Sequence, residues 1–220
     1  VIDYWIVVRD NIAMRSRHGA TPVPGPRPAG NNIRQTAVFK RLEAEVRLMD
    51  LDGPAAVDWV KVNALSLNIL SNRSKDILVA SWATYGLFRV EGYEGLAVGL
   101  GVLHGMVEAH WEELFPSKTR DDARAAAIDW LLHLGPALAA NEPTEAEASG
   151  VIAACDALEG LGRELKGKLV EGRVTLDVLF RALQSYNERA TTRLNSHVRS
   201  QWRSLHLHSG LSGSTSQQPT

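Results

Sequence analysis

Apolar side chains recur at spacings of three and four along most of the chain, the rhythm of helices that each bury one face. Val38, Leu42, Val46 and Met49 set it first and predict a helix over roughly 35–51. Gly53-Pro54 breaks that helix, and Trp59, Val62, Leu65 and Ile69 mark the next, over about 57–71. A third is expected from Lys75 to about Val90, with Ser74 as its cap and Asp76 in its first turn, where a carboxylate suits the positive end of the helix dipole. Leu96, Leu100, Leu103, Val107 and Trp111 define a fourth, from Gly92 to Phe115, which Pro116 stops.

The alanine-rich opening at Asp121 predicts a fifth helix reaching Ala140, with Ile128, Leu131, Leu132 and Leu138 as its apolar contacts and a kink at Pro136. Thr144 and Glu147 have capping-box spacing and begin a sixth helix, about 145–169. A seventh runs from Leu176 to about Leu205, opening on Thr175 as its cap. No stretch alternates with period two and no Asn-Gly or Asp-Gly hairpin turn occurs, so the fold class is all-α, a multi-helix bundle of about seven helices.

The ends depart from this pattern. Four prolines between Pro22 and Pro28 forbid a helix there and favour an extended path. Residues 1–33 are therefore read as a Pro-rich N-terminal arm, extended over the domain or a leader. Because the chain begins without Met, residues 1–18 are expected to be partly vector-derived. Ser209 to Thr220 has linker chemistry, and a C-terminal region is expected to follow it. The organisation read from the sequence is arm 1–33, helical domain 34–142, continuing helical hairpin or middle region 143–208 and linker 209–220.

Composition changes this picture little. A formal net charge of −1 gives no overall field for nucleic acid or an anionic membrane. One cysteine, Cys155, cannot form an internal disulfide, and a buried inert thiol is expected. Tyr4 to Val8 is too short and too closely flanked by charge to be a signal segment, and no window approaches the ~20 apolar residues of a membrane span. A cytoplasmic location is expected.

Candidate chemistry is sparse. His104 and Glu108 stand four apart with His110 and Glu112 nearby, but the HExxH order is absent and no third ligand has recognisable spacing. His206 and His208 suit a helix end better than a chelate. There is no nucleophile elbow or Walker sequence, and Gly99-Leu-Gly101 lacks the strand and spacing of a dinucleotide fingerprint. The reading is no enzyme, no catalytic, cofactor-binding or metal site and no cofactor; a helical metal-binding enzyme using His104, Glu108 and His110 is the alternative of another class. Arg181, Arg189, Arg193, Arg199 and Arg203 form a basic strip, read as a solvated face or protein contact, not a nucleic-acid site. Gly95, Gly99, Gly101 and Gly105 fit close helix packing in a bundle.

Pro28-Ala-Gly30 with Ile33-Arg34, then Asp58-Trp59, Ser74-Lys75-Asp76, Trp82, Gly92, Gly95-Leu96, Trp111-x-x-x-Phe115-Pro116, Arg124 and Trp130-Leu131 follow one another in an order that resembles ImpA-type N-terminal domains of the type VI secretion TssA proteins, over residues 22–135. The resemblance implies a cytoplasmic structural component of a contractile, phage-tail-like apparatus. Such a component would contact baseplate, tube, sheath or membrane-complex proteins and form rings chiefly through C-terminal regions, with the present stretch a monomer or dimer. TagA-like proteins, which end sheath extension at the distal membrane, are the near alternative. Arg34, Trp59, Ser74, Lys75, Asp76, Trp82, Gly95, Trp111, Pro116, Arg124 and Trp130 carry the resemblance. Scaffold roles are expected for most of them: caps from the Ser-Lys-Asp run, a snorkelling or acid-paired Lys75 and tryptophans in the core, any exposed one marking an interface.

Overall fold

The computed structural model describes residues 2–169 and 174–210, with side chains for 5–169 and 174–196. In order the helices are α1 (Ile2–Ser16), α2 (Ala37–Val46), α3 (Leu48–Asp52), α4 (Trp59–Asn72), α5 (Ile77–His110), α6 (Asp121–Asp129), α7 (Leu134–Ala140), α8 (Ala148–Leu165) and α9 (Asp177–Gly210). Among the described residues β pairing is limited to two isolated bridges, Gly30 with Ser74 and Asp76 with Phe115. The all-α reading holds.

Helix α5 organises the bundle, and it is folded on itself. Gly92 sits at φ 62° and ψ −143°, outside helical space, and there the chain reverses. A left-handed φ of this kind suits glycine, which has no Cβ to clash. The two arms then pack so closely that a Cβ on Gly99 would lie 2.5 Å from the Thr84 Cα, and one on Gly95 would lie 2.2 Å from the Leu87 carbonyl oxygen. The third and fourth predicted helices are thus the two arms of a hairpin. Both arms are buried along most of their length, including Val79, Leu87, Leu96, Leu100 and Leu103. Glu147 supports the reversal from outside: its carboxylate accepts from the Thr144 amide at 3.0 Å and hydroxyl at 2.8 Å, and from the Tyr93 amide at 3.5 Å. The Thr144–Glu147 pair therefore serves two helix starts.

Helix α4 packs on one side of the hairpin, α8 and α1 on another, and α6 with the 3₁₀ turn Trp130–His133 on a third. One apolar cluster runs from Val8 to Ala190, so α8 and α9 share the core of the preceding helices across the boundary read at 142. Where one helix was expected over 121–140, α6, the 3₁₀ turn and α7 follow in succession. Pro136 has no amide to offer the Leu132 carbonyl, and the backbone tightens just upstream of it.

The arm expected over residues 1–33 differs in its first half: residues 2–16 form α1, which buries Val8 and Ile12. Only the proline-rich part is irregular, and it is tied down where Val23 bonds to Pro28 and Lys75 to Ala29. Helix α9 runs through residues 209–210, and the rest of the expected linker, 211–220, lies outside the described residues.

Candidate functional site

The sequence motif residues converge at the open end of the α5 hairpin. The Lys75 amide donates to the Ala29 carbonyl, the Phe115 amide to the Lys75 carbonyl and the Ile77 amide to the Phe115 carbonyl, at 2.8–3.0 Å. Asp76 caps α5, its Oδ1 accepting from the Leu78 and Val79 amides at 3.0 and 3.2 Å. The same carboxylate receives Arg34 through Nε at 2.8 Å and Nη2 at 2.9 Å, which ties α5 to the arm before α2. Burial pushes the Asp76 carboxyl up, while the Arg34 guanidinium and the two amides pull it down.

Two expectations for this run need correction. Ser74 does not cap α5: its hydroxyl is buried without a hydrogen-bond partner, because the helix begins two residues later and Asp76 occupies the capping position. Lys75 neither snorkels nor pairs with an acid. It is fully buried and its Nζ donates to the His18 carbonyl oxygen, so burial brings its pKa down to about 8. His110 Nε2 meets the Ala20 carbonyl oxygen at 2.9 Å, so two titratable side chains hold the turn that follows α1.

Among the described residues Arg124 is the largest fully buried side chain. Its guanidinium donates to the carbonyls of Trp111, Leu114 and Pro116 at 2.8, 2.8 and 2.7 Å, and lies 4.5 Å from the Trp111 ring centroid. These carbonyls end the helix and enter the turn at Pro116, so Arg124 supplies donors that a terminating backbone has lost. Helix α5 itself stops at His110, and Trp111–Glu113 form a 3₁₀ turn before Pro116.

The tryptophans build a second feature. Trp59 and Trp130 flank Tyr85, with ring centroids 4.8 and 5.6 Å away. Trp59 Nε1 donates to the Pro54 carbonyl at 2.8 Å, fixing the loop before α4. Trp130 stacks on His133 at 4.7 Å, and Trp82 completes the cluster between Phe39 and Trp130. Trp59, Trp82 and Trp111 are buried and Trp130 is partly so, as core anchors should be. Above Tyr85 the held elements leave a groove of about 560 Å³ between Met49 and Pro54 on one wall and Leu132, Pro136 and Ala140 on the other. Arg89, His133 and Asn141 stand at its rim.

The remaining candidates scatter. His104 packs against Gly160 of α8, His110 turns to Ala20 and Glu108 is exposed, so the three do not converge. Gly101 and Gly105 face Ser16 and Ala20, a different neighbour from that of Gly95 and Gly99. Arg189 pairs with Glu142 at 2.6 Å and lies over Tyr186. The side chains of Arg199, Arg203, His206 and His208 lie outside the described ones. Cys155 is buried on α8, and burial with Asp156 and Glu159 nearby pushes its thiol up to about 12. Among the described residues no helix is long and apolar enough to cross a membrane.

Residues 20–133, which contain both the motif junction and the tryptophan cluster, match the family described as ImpA, N-terminal, type VI secretion system. The chain belongs to this family. A 102-residue stretch is 29% identical to the type VI secretion system component TssA1 of Pseudomonas aeruginosa, covering 43% of this chain but 29% of that protein's length. In fold the chain resembles the N-terminal domain, including the conserved ImpA_N region, of the TssA component of the type VI secretion system from Burkholderia cenocepacia. The TM-score is 0.65 at 16% identity, over 80% of this chain and 92% of that one.

The groove escaped the sequence reading. Tyr85 and Arg89 stand four apart on α5, but Met49, Leu132 and Pro136 come from three other elements, and no spacing in the sequence joins the four. The tryptophans beneath them were the available signal.

Proposed function

We propose that this ImpA-family chain is a docking module of a TssA-type component, acting in the cytoplasm, that contacts baseplate, tube or sheath proteins while the secretion apparatus is built. The observation that carries this reading is the family match across residues 20–133, the stretch whose motif residues are spent on holding α5, the arm and the Pro116 turn together. A buried, interlocked junction supports the role of a rigid body that presents its outer surface to partners. Ring formation, in this reading, belongs to parts of the relatives outside the matched stretch.

The test is co-purification of the 220-residue chain with separately purified baseplate, tube and sheath proteins from the same genome. A stoichiometric complex with one of them is expected; no complex with any of them overturns the docking role. A fluorescent fusion of the full-length protein separates the branches: foci at the baseplate end agree with this reading, and accumulation at the distal sheath end would mark a TagA-like terminator.

A further inference from the structure

We propose that the groove above Tyr85 takes a segment of a partner protein bearing a large apolar side chain beside a carboxylate. This rests on the docking role proposed above and gives it a place and a chemistry. The walls are apolar, from Met49, Pro54, Leu132 and Pro136, and the volume of about 560 Å³ falls within the roughly 300–1,000 Å³ of pockets that bind compact ligands. The groove is also preformed. Trp59 holds one wall through the Pro54 carbonyl, Trp130 holds the other through His133, and both rings fix the Tyr85 floor. An anchor entering it finds walls already ordered, which lowers the entropic cost of binding.

Charge selects the second half of the motif. Arg89 and His133 are at the rim and no carboxylate lines the groove. Arg89 stands beside the Tyr85 hydroxyl, and among the described residues it forms no ion pair with an acid. The carboxylates of the adjoining pocket are engaged elsewhere, Glu147 with Thr144 and the Tyr93 amide, and Glu142 with Arg189. A guanidinium in this position favours an incoming Asp or Glu, with which it can form two parallel hydrogen bonds, and disfavours a basic segment.

The test uses the full chain and whichever secretion protein forms a complex with it, with affinity read by calorimetric titration. Arg89→Glu, and separately Ala140→Trp to fill the groove, are each expected to weaken binding about tenfold or more. Arg181→Glu, on the exposed face of α9, should leave it unchanged, and circular dichroism melts should show all three variants folded. Arg89→Gln serves should the charge reversal fail to fold. A photo-crosslinker at position 136 should capture a partner segment with Asp or Glu within one helical turn of a large apolar residue. Wild-type affinity in both groove variants overturns the proposal. So does a crosslink to a segment lacking a carboxylate, or to a second copy of this chain. Failure of the wild-type chain to bind any secretion protein overturns the docking role itself, whereas binding that ignores the groove variants overturns only this assignment.

Discussion

Replacing Arg124 by Ala removes the donors of two buried carbonyls and one part-buried carbonyl at one stroke. The guanidinium bonds to Trp111, Leu114 and Pro116 at 2.7–2.8 Å, and each hydrogen bond from a charged donor contributes roughly 1.5–3 kcal/mol. Against that stands the desolvation of the ion itself, several kcal/mol, since no carboxylate receives its guanidinium bonds. The net loss expected for Arg124→Ala is about 3–5 kcal/mol, the range found when a buried charged network is broken from one side. Arg124→Lys keeps the charge but lacks the planar fork and the stacking on Trp111, and should lose about 2 kcal/mol. Equilibrium unfolding in urea measures both, and amide exchange should quicken first at Leu114 and Phe115. An Arg124→Ala protein within about 1 kcal/mol of wild type would refute the reasoning, because the turn carbonyls would then find partners without it.

Lys75 gives a pH signature. Its folded pKa of about 8 lies below the ordinary 10.5, so the folded chain binds fewer protons than the unfolded one between those values, and stability rises with pH across that window. Relative to Lys75→Met, the wild type should gain about 2 kcal/mol between pH 7 and 9.5 in chemical denaturation; a constant difference would contradict the uncharged-leaning site. Gly99→Ala sets helix propensity, about 1 kcal/mol in favour of Ala, against overpacking of about 1–3 kcal/mol. With the new Cβ 2.5 Å from the Thr84 Cα, a lower melting temperature is expected, and a raised one would mean that the α5 arms are not in contact there. Cys155, its thiol pushed up to about 12, should resist a thiol reagent at pH 8 in the folded protein and react fully in denaturant; fast native labelling would show an open site.

Much of this architecture was legible in the residues, and the misses have physical causes. Apolar periodicity located the two arms of α5 and began the second at Gly92, but the reversal there rests on a positive φ that spacing does not show. Helix α1 was missed because the proline run after it coloured the reading of everything before it, although Val8 and Ile12 stand four apart and bury together. Ser74 and Asp76 are both competent caps, and spacing alone did not say which would be used; the backbone bridge from Gly30 to Ser74 keeps Ser74 extended and leaves the role to Asp76. Arg124 belonged to the motif order, but its spacing gave it no role. Only the turn folding over it turns it inward.

The central claim is that the motif residues form an interior scaffold and that partners meet the outer groove. Hydrogen–deuterium exchange on the chain alone and bound to its secretion partner tests this most directly. New protection is expected at 49–54, 85–90 and 130–141, with little change along α9. Protection concentrated on α9 or on the 117–121 loop, with the groove segments unaltered, would contradict it.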